Sequence, residues 1–247
     1  MHPLLFKIGP IKIHTYGFFV FLGILAGWFV LERRTKGKVG KKILEDILFY
    51  TIIFAIIGAR IFYFLFWDFK GLLENPLSFF YVWQGGLAIF GGILGGISGI
   101  YFFSKKYGLG FFELLDWFAP SLALGQAIGR LGCFSAGCCY GKPTDFFLGV
   151  RFTDPLSLAP LYVKIHPTQL YESFFDFLLF FILIKTKVKK RGFVAGFYFI
   201  GYGIIRFFME FLRGDVINVF GFLTAMQIFA IIFIVLGAGL IWKKNLK

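Results

Sequence analysis

Long apolar runs separated by short polar segments are the main pattern along this chain. The last run, "FLTAMQIFAIIFIVLGAGLIW" (222–242), contains 21 residues without a charge, which is long enough for a helix to cross a hydrocarbon core of about 30 Å. Six earlier runs have the same character. The pattern therefore predicts an all-α integral membrane protein with seven transmembrane helices. The predicted spans are residues 17–31, 45–67, 81–103, 111–133, 170–184, 193–211 and 222–242.

The composition agrees with this prediction, because 58% of the 247 residues are hydrophobic and 22% are aromatic, whereas soluble domains are about 45–50% apolar. The first run is followed by the basic segment "ERRTKGKVGKK" (32–42) and not by a small-residue cleavage site, so no cleavable signal peptide is expected. No internal repeat divides the chain. We expect a single membrane-embedded domain over residues 1–247.

Lysine and arginine are distributed unevenly between the two sides of the predicted membrane, and the net charge is +13. Sixteen of the 26 basic residues lie in the segments after spans 1, 3 and 5 and in the C-terminal tail, while seven lie in the longer loops of the other side. The positive-inside rule then predicts an external N-terminus and a cytoplasmic C-terminus. The excess of basic residues is explained by their role in orienting the protein in the membrane and by their contact with anionic lipid headgroups. No nucleic-acid partner is therefore expected.

The longest connection, residues 134–169, joins spans 4 and 5 on the predicted outer side. It holds four prolines, which favour turns over helix. We therefore expect this outer loop to be ordered by turns. The prolines are Pro143, Pro155, Pro160 and Pro167.

Three arginines, Arg60, Arg130 and Arg206, lie inside predicted spans, and all three fall in the outer half. A charge at the centre of a membrane helix costs about 2.5–3.5 kcal/mol, so each needs a reason to be there. Each arginine either reaches the interface or pairs with a carboxylate, or it binds an anionic ligand. Arg130 has no acidic residue within a helical turn, so its partner must come from another helix or from a ligand.

One face of span 6 is polar. Tyr202, Arg206, Glu210 and Arg213 are spaced four, four and three residues apart, which places them on the same side of a helix. Glu172 opens span 5 on the same side of the membrane. Because a guanidinium group can hold two phosphate oxygens at once, an outer-leaflet cavity with several arginines indicates a phospholipid headgroup or another lipid-linked anion.

Span 3 carries pairs of glycine at 85–86, 91–92 and 95–96. Small residues let membrane helices approach closely. Glycine pairs also permit a broken helix or backbone amides directed at an anion. The sequence leaves both interpretations open.

The three cysteines of the chain, Cys133, Cys138 and Cys139, lie just after Arg130. They form no CxxC pair and have no fourth ligand nearby, so no metal site is predicted. They are interpreted as small buried side chains, with one disulfide among the three or a nucleophilic thiol activated by Arg130 as alternatives.

The segment "GRLGCFSAGCCYG" (129–141) resembles the signature of the prolipoprotein diacylglyceryl transferases, which reads G-R-x-G-N-F-x-N-x-E-x-x-G. Five further blocks follow the order and spacing of that family, so that the resemblance covers essentially the whole chain. The seven-span topology of the family, with an external N-terminus, agrees with the charge distribution. The blocks are "HTYGFFVFLG" (14–23), "GARIFYFLFW" (58–67), "WQGGLAIFGG" (83–92), "HPTQLYE" (166–172) and "YGIIRFFMEFLR" (202–213).

The resemblance implies a transferase of the bacterial cytoplasmic (inner) membrane with its active site toward the outer leaflet. Its substrates would be phosphatidylglycerol and prolipoproteins with a lipobox cysteine. The diacylglyceryl group would pass to the cysteine thiol, forming a thioether and releasing glycerol phosphate. Arg130 and Arg206 would hold the lipid phosphate and stabilise the leaving group. Supporting or lipid-binding roles are implied for Tyr16, Tyr202, Glu210, Gly141, Arg60, Gly85 and Gly86.

The chain departs from the family pattern at four positions. Phe90 stands where the family often has histidine, Cys133 and Ala136 replace the two signature asparagines, and Cys138 replaces the signature glutamate. The usual candidate for the general base is therefore absent. This leaves open whether the chain is a subgroup with the same activity or one with altered chemistry.

The substrate thiol must lose its proton, because the thiolate is the nucleophile. His166, Tyr16 and Glu210 are the candidate bases, although His166 can equally be an interfacial residue before Pro167. No metal or cofactor is expected. The alternative function is a non-catalytic binder or transporter of anionic phospholipids that uses the same arginines.

Overall fold

The computed structural model describes residues 2–9, 11–216, 218–220 and 223–243. These residues form two compact units. The first lies within Met1–Arg34 and Asp116–Leu246, and the second within Thr35–Leu115.

The described residues contain eight α-helices and three two-stranded antiparallel sheets. In chain order the elements are β1 (Leu4–Ile8), β2 (Ile11–His14), α1 (Thr15–Thr35), α2 (Lys41–Phe66), α3 (Phe69–Glu74), α4 (Ile89–Lys106), α5 (Phe111–Ala136), β3 (Val150–Arg151), β4 (Lys164–Ile165), α6 (Thr168–Lys185), α7 (Phe193–Leu212), β5 (Asn218–Phe220), β6 (Leu223–Thr224) and α8 (Ala225–Trp242).

The prediction of a predominantly helical membrane protein is confirmed. Within the described residues, α1, α2, α7 and α8 are long and apolar enough to cross a membrane. Each predicted span overlaps one long helix. The third begins at Ile89 and not at residue 81, because residues 76–84 form two short 3-10 turns and both glycines of the pair at 85–86 have positive φ. The first residue of the last predicted span, 222, lies outside the described residues.

In the second unit, glycine brings α2 and α4 together. A Cβ built on Gly95 would lie 2.1 Å from the carbonyl oxygen of Phe54, and one on Gly91 would lie 2.2 Å from that of Gly58. Backbones this close leave no room for a side chain. Gly91 and Gly95 therefore act in helix packing, one of the two interpretations left open by the sequence.

In the first unit, α5, α6 and α7 share an apolar core that includes Ala123, Leu183 and Val194. Asp116 of α5 accepts hydrogen bonds from the backbone N–H groups of Gly192 and Ala195, each at 2.8 Å. These are unpaired donors at the start of α7, so a buried carboxylate from one helix caps the next.

The loop between α5 and α6 is held by short backbone pairings. β3 pairs with β4, and further single bridges join Gly141 to Arg213 and Pro143 to Ile165. Phe152 and Ile165 form a small core beneath it. Residues 137–167 contain turns and short strands but no helix, whereas the predicted loop bounds of 134–169 include the last residues of α5 and the first residues of α6.

Candidate functional site

A buried network of arginine and glutamate joins α5, α6 and α7 in the first unit. Arg130 Nη2 lies 2.6 Å from Glu172 Oε1, and Arg206 Nη1 lies 3.4 Å from the same oxygen. Arg206 Nη2 lies 2.9 Å from Glu210 Oε2, one turn further along α7. The partner of Arg130 therefore comes from another helix, which is one of the two alternatives, a helix or a ligand, that the sequence left open.

Glu172 is positioned by the first turn of α6. The side chains of Thr168 and Gln169 donate hydrogen bonds of 2.7 Å to the backbone carbonyls of Cys139 and Cys138, respectively. Ser173 Oγ donates to the carbonyl of Ala127 on α5, also at 2.7 Å. These polar groups are buried, where unmade hydrogen bonds are expensive. They fix α6 against the end of α5 and so direct Glu172 at Arg130.

The polar face predicted for span 6 is present on α7. Glu210 accepts a hydrogen bond from Thr224 Oγ1 at 2.9 Å in addition to its ion pair with Arg206. Arg213 forms a bidentate pair with Asp215, with both N–O distances 2.9 Å. Among the described residues, Glu210 Oε2 forms an ion pair with Arg206 but has no hydrogen-bond partner, so the role of Glu210 as a general base stays a prediction.

The two arginines that contact Glu172 differ in exposure. The Arg130 side chain is 17% exposed and the Arg206 side chain 5%. Among the described residues, Glu172 is the only hydrogen-bond partner of Arg130. Tyr202 lies close enough to interact electrostatically with both arginines and with Glu172. Arg130 contacts the carboxylate through one nitrogen atom, Nη2, and is the more exposed of the two arginines.

Two carboxylates of α6 have no predicted role. Glu172 lies beside the polar face of α7, and its bridge between the two arginines does not follow from the sequence. Asp176, four residues later, is fully buried, and neither carboxylate oxygen has a hydrogen-bond partner among the described residues. Their i, i+4 spacing in an apolar helix was the signal that was available.

The three cysteines converge next to this network. Their sulfur atoms all lie within 4.8 Å of one another. Cys139 has a positive φ of 58°. Hydrogen bonds from Cys133 and Cys138, together with the charges of Arg130 and Arg213, lower the pKa of the Cys139 thiol. Hydrogen bonds with Cys133 and Cys139 raise the pKa of Cys138.

Tyr16, His166 and Gly141 also lie in the first unit. Tyr16, in the first turn of α1, is 46% exposed and interacts electrostatically with Arg130 and all three thiols. His166 Nδ1 lies 3.4 Å from the hydroxyl of Tyr171. The N–H of Gly141 donates to the carbonyl of His166 at 3.1 Å, and a Cβ on Gly141 would lie 2.5 Å from that oxygen. This close backbone approach explains the glycine.

Arg60, Gly85 and Gly86 belong to the second unit. Arg60 is buried and donates to the backbone carbonyls of Gly85 at 2.6 Å, Gly86 at 3.1 Å and Phe79 at 2.9 Å, and also to that of Ser78. The positive φ angles of the two glycines turn the chain around the guanidinium group. A structural anchor is thus visible here, whereas lipid binding by these residues stays a prediction.

Phe90 lies in the first turn of α4 at the position where the family often has histidine. Its ring centroid is 6.4 Å from that of Phe62 on α2. An apolar contact has therefore taken the place of a titratable group.

Fold and site together define a helical membrane protein with a buried arginine–glutamate network. The family model described as prolipoprotein diacylglyceryl transferase matches residues 3–243. The chain therefore belongs to the prolipoprotein diacylglyceryl transferase family, and the resemblance inferred from its motifs is confirmed.

Three relatives carry the name phosphatidylglycerol–prolipoprotein diacylglyceryl transferase. The protein of Clostridium tetani is 39% identical over 96% of this chain and 95% of its own length. The protein of Acinetobacter baumannii strain SDF is 34% identical over 99% of this chain and 93% of its own length. That of Methylococcus capsulatus is 33% identical over 95% and 92%.

Proposed function

We propose that this protein transfers the diacylglyceryl group of phosphatidylglycerol to the lipobox cysteine of prolipoproteins. A carbon–sulfur bond forms at the glyceryl carbon, the carbon–oxygen bond to the phosphate breaks, and glycerol phosphate leaves. The observation that carries the proposal is the arrangement of Arg130 and Arg206 around Glu172 in a chain of this family.

Arg130 is the residue that contacts the lipid phosphate in this proposal. It is the more exposed of the two arginines, and its remaining N–H groups can hold phosphate oxygens bidentately. Arg206 is enclosed by Glu172 and Glu210 and holds Glu172 in place. In an apolar site, such fixed charges stabilise a leaving phosphate more strongly than in water.

The proposal includes a single domain with seven spans in the bacterial cytoplasmic membrane, with the N-terminus outside. The basic residues at the ends of α1 and α4, Arg33, Arg34, Lys105 and Lys106, would then face the cytoplasm. Arg130 and Arg206 lie near the C-terminal ends of α5 and α7. In the proposed topology these two ends face the outer leaflet. This side is where signal-peptide-bearing substrates present their lipobox.

One assay tests the activity. The purified protein is mixed with phosphatidylglycerol vesicles and a lipobox peptide, and the mass gained by the peptide cysteine is measured. Removing one preorganised donor to a developing anion typically costs about 10²–10³-fold in rate, and we expect at least this loss for Arg130→Ala. Arg151→Ala, an exposed arginine of β3, is the matched control and should retain the wild-type rate.

Full transfer by Arg130→Ala would overturn the assigned role of this arginine. Lipid binding by the wild-type protein without any mass gain on the peptide would favour the anionic-lipid binder or transporter. Phe90, at the position where the family often has histidine, is the feature that makes this second candidate worth testing.

A further inference from the structure

The cluster of Cys133, Cys138 and Cys139 has the composition and geometry of a metal site with one open position. From this we propose that these three thiolates bind a soft divalent cation such as Zn²⁺, and that the lipobox thiol of the substrate becomes its fourth ligand. The proposal rests on the transferase function proposed above. It supplies a means of activating the thiol in a chain with phenylalanine at the usual histidine position.

The three sulfur atoms lie close enough together to share one metal ion. Three sulfur atoms within 4.8 Å of one another can surround one ion with only small side-chain movements, because zinc–sulfur bonds are about 2.3 Å long. Among the described residues, no other histidine, cysteine or carboxylate belongs to the group. Three protein ligands and a free position are the arrangement of catalytic zinc sites, whereas structural sites have four protein ligands.

The backbone around the cluster is built to bring the sulfurs together. Successive residues of an extended chain point to opposite sides. The left-handed backbone of Cys139, with φ of 58°, interrupts that alternation, so that neighbouring side chains both approach Cys133. Hydrogen bonds from the buried Thr168 and Gln169 hold the carbonyls of Cys139 and Cys138. Residues held in uncommon conformations by their surroundings are concentrated at functional sites.

The charges around the cluster favour negative charge at Cys139. Cys139 interacts with the positive charges of Arg130 and Arg213, which compensate negative charge at the sulfurs. The ligand type also selects the ion, since thiolates prefer Zn²⁺ or Cu⁺ to Mg²⁺ or Ca²⁺. The sequence spacing argued against a metal because it showed no CxxC pair, but the fold supplies the third sulfur from the last turns of α5.

The chemistry follows from the open position. A thiol that binds Zn²⁺ loses its proton, which is released to water. The resulting thiolate attacks the glyceryl carbon, and the electron pair of the breaking carbon–oxygen bond leaves with the phosphate that Arg130 holds. The thioether product is neutral and a weaker ligand, so it dissociates from the metal. Neither an oxidant nor a reductant is consumed.

The test uses the full-length protein, purified in detergent under anaerobic conditions and kept reduced. Bound Zn²⁺ is measured by elemental analysis, and Co²⁺ is added to the metal-free protein to look for thiolate-to-metal charge-transfer absorption. We expect one ion per chain. Loss of a residue that only supports a metal ligand typically weakens metal binding by about 10–100-fold. Loss of a ligand itself should cost more, so each of the variants Cys133→Ser, Cys138→Ser and Cys139→Ser should weaken binding by more than about 100-fold. Ser135→Ala, whose hydroxyl bonds to the Leu131 carbonyl, is the matched control.

If a serine variant does not fold, the metal-free wild-type protein provides the test instead. It should lose lipid transfer and regain it with Zn²⁺. A reduced protein that binds no Zn²⁺ or Co²⁺, a disulfide among the three cysteines in the anaerobic preparation, or unchanged binding by all three variants would overturn the site. Equal transfer with and without metal would overturn its role in the reaction and leave the proposed function intact. Metal binding without any transfer would instead overturn the proposed function and leave the site.

Discussion

Arg206 and Glu172 form a buried ion pair between two helices, with Arg206 Nη1 3.4 Å from Glu172 Oε1. The same carboxylate oxygen accepts a hydrogen bond from Arg130 at 2.6 Å. One carboxylate thus neutralises charges from α5 and α7. A group at such a junction has consequences for stability as well as for chemistry.

Glu172→Gln is expected to destabilise the protein strongly. Removing one partner from a buried ion pair typically costs about 3–5 kcal/mol, because the charge left behind has no compensation. Here two arginines lose their shared partner. Thermal unfolding of the detergent-purified variant should show a large drop in Tm, and an unchanged Tm would mean that the arginines find other partners.

Asp176→Asn is expected to behave in the opposite way. Asp176 is as deeply buried as Glu172 and lies one turn away, but in the part of the chain that the structure describes its carboxylate oxygens have no hydrogen-bond partner. Its replacement by a neutral side chain of the same shape removes a buried charge and takes a hydrogen-bond partner from no other group. The Tm should stay the same or rise, and a drop comparable to that of Glu172→Gln would reveal an essential partner of this carboxylate.

Arg60→Met should loosen residues 78–86. Hydrogen bonds to charged groups contribute about 1.5–3 kcal/mol each, and the guanidinium holds four carbonyls of this segment. Loss of a single such bond already favours local opening by about 10–100-fold. Chymotrypsin, which cleaves after aromatic residues, should cut this segment correspondingly faster. Lys70→Met, an exposed position in the same unit, should leave the cleavage rate unchanged.

Gly95→Ala and Gly96→Ala form a matched pair on α4. A Cβ on Gly95 would lie 2.1 Å from the carbonyl oxygen of Phe54, whereas one on Gly96 would meet only Ala55 Cβ at 3.8 Å. We expect Gly95→Ala to lower the Tm markedly, because α2 and α4 must separate. Gly96→Ala should be neutral or stabilising by up to about 1 kcal/mol, the helix-propensity gain of alanine over glycine. Equal effects would contradict the close packing of these two helices.

Gly141→Ala tests whether the last glycine of the signature acts through packing. The new Cβ would lie 2.5 Å from the carbonyl oxygen of His166 and would push apart the pairing that holds the outer loop. Both Tm and transfer rate should fall. Gly129→Ala, where the added methyl group meets nothing within 4 Å, is the control. Loss of transfer with an unchanged Tm in Gly141→Ala would favour direct lipid binding instead.

The spacing of polar and apolar residues along the sequence predicts most of the helices and their polar faces, because these features depend only on helix geometry. The face with Arg206 and Glu210 follows from their separation by four residues, and the apolar runs predict the long helices. The bridge from Arg130 to Glu172 was beyond such reasoning, since 42 residues separate the two positions. The same holds for the carbonyls around Arg60 and for the convergence of the cysteines, which require turns with positive φ that the sequence does not specify.

The cap that Asp116 provides at the start of α7 has a consequence for the distant arginines. Fourteen residues separate Asp116 from Arg130 along α5, and fourteen separate the capped Gly192 from Arg206 along α7. At 1.5 Å per residue both intervals measure about 21 Å. Because Asp116 and Gly192 are joined by the cap, the two arginines lie at the same distance from it along their helices. Both can therefore contact the same carboxylate, that of Glu172. A single residue inserted into either interval would shift one arginine by about 1.5 Å and rotate it by about 100°, out of reach of the carboxylate.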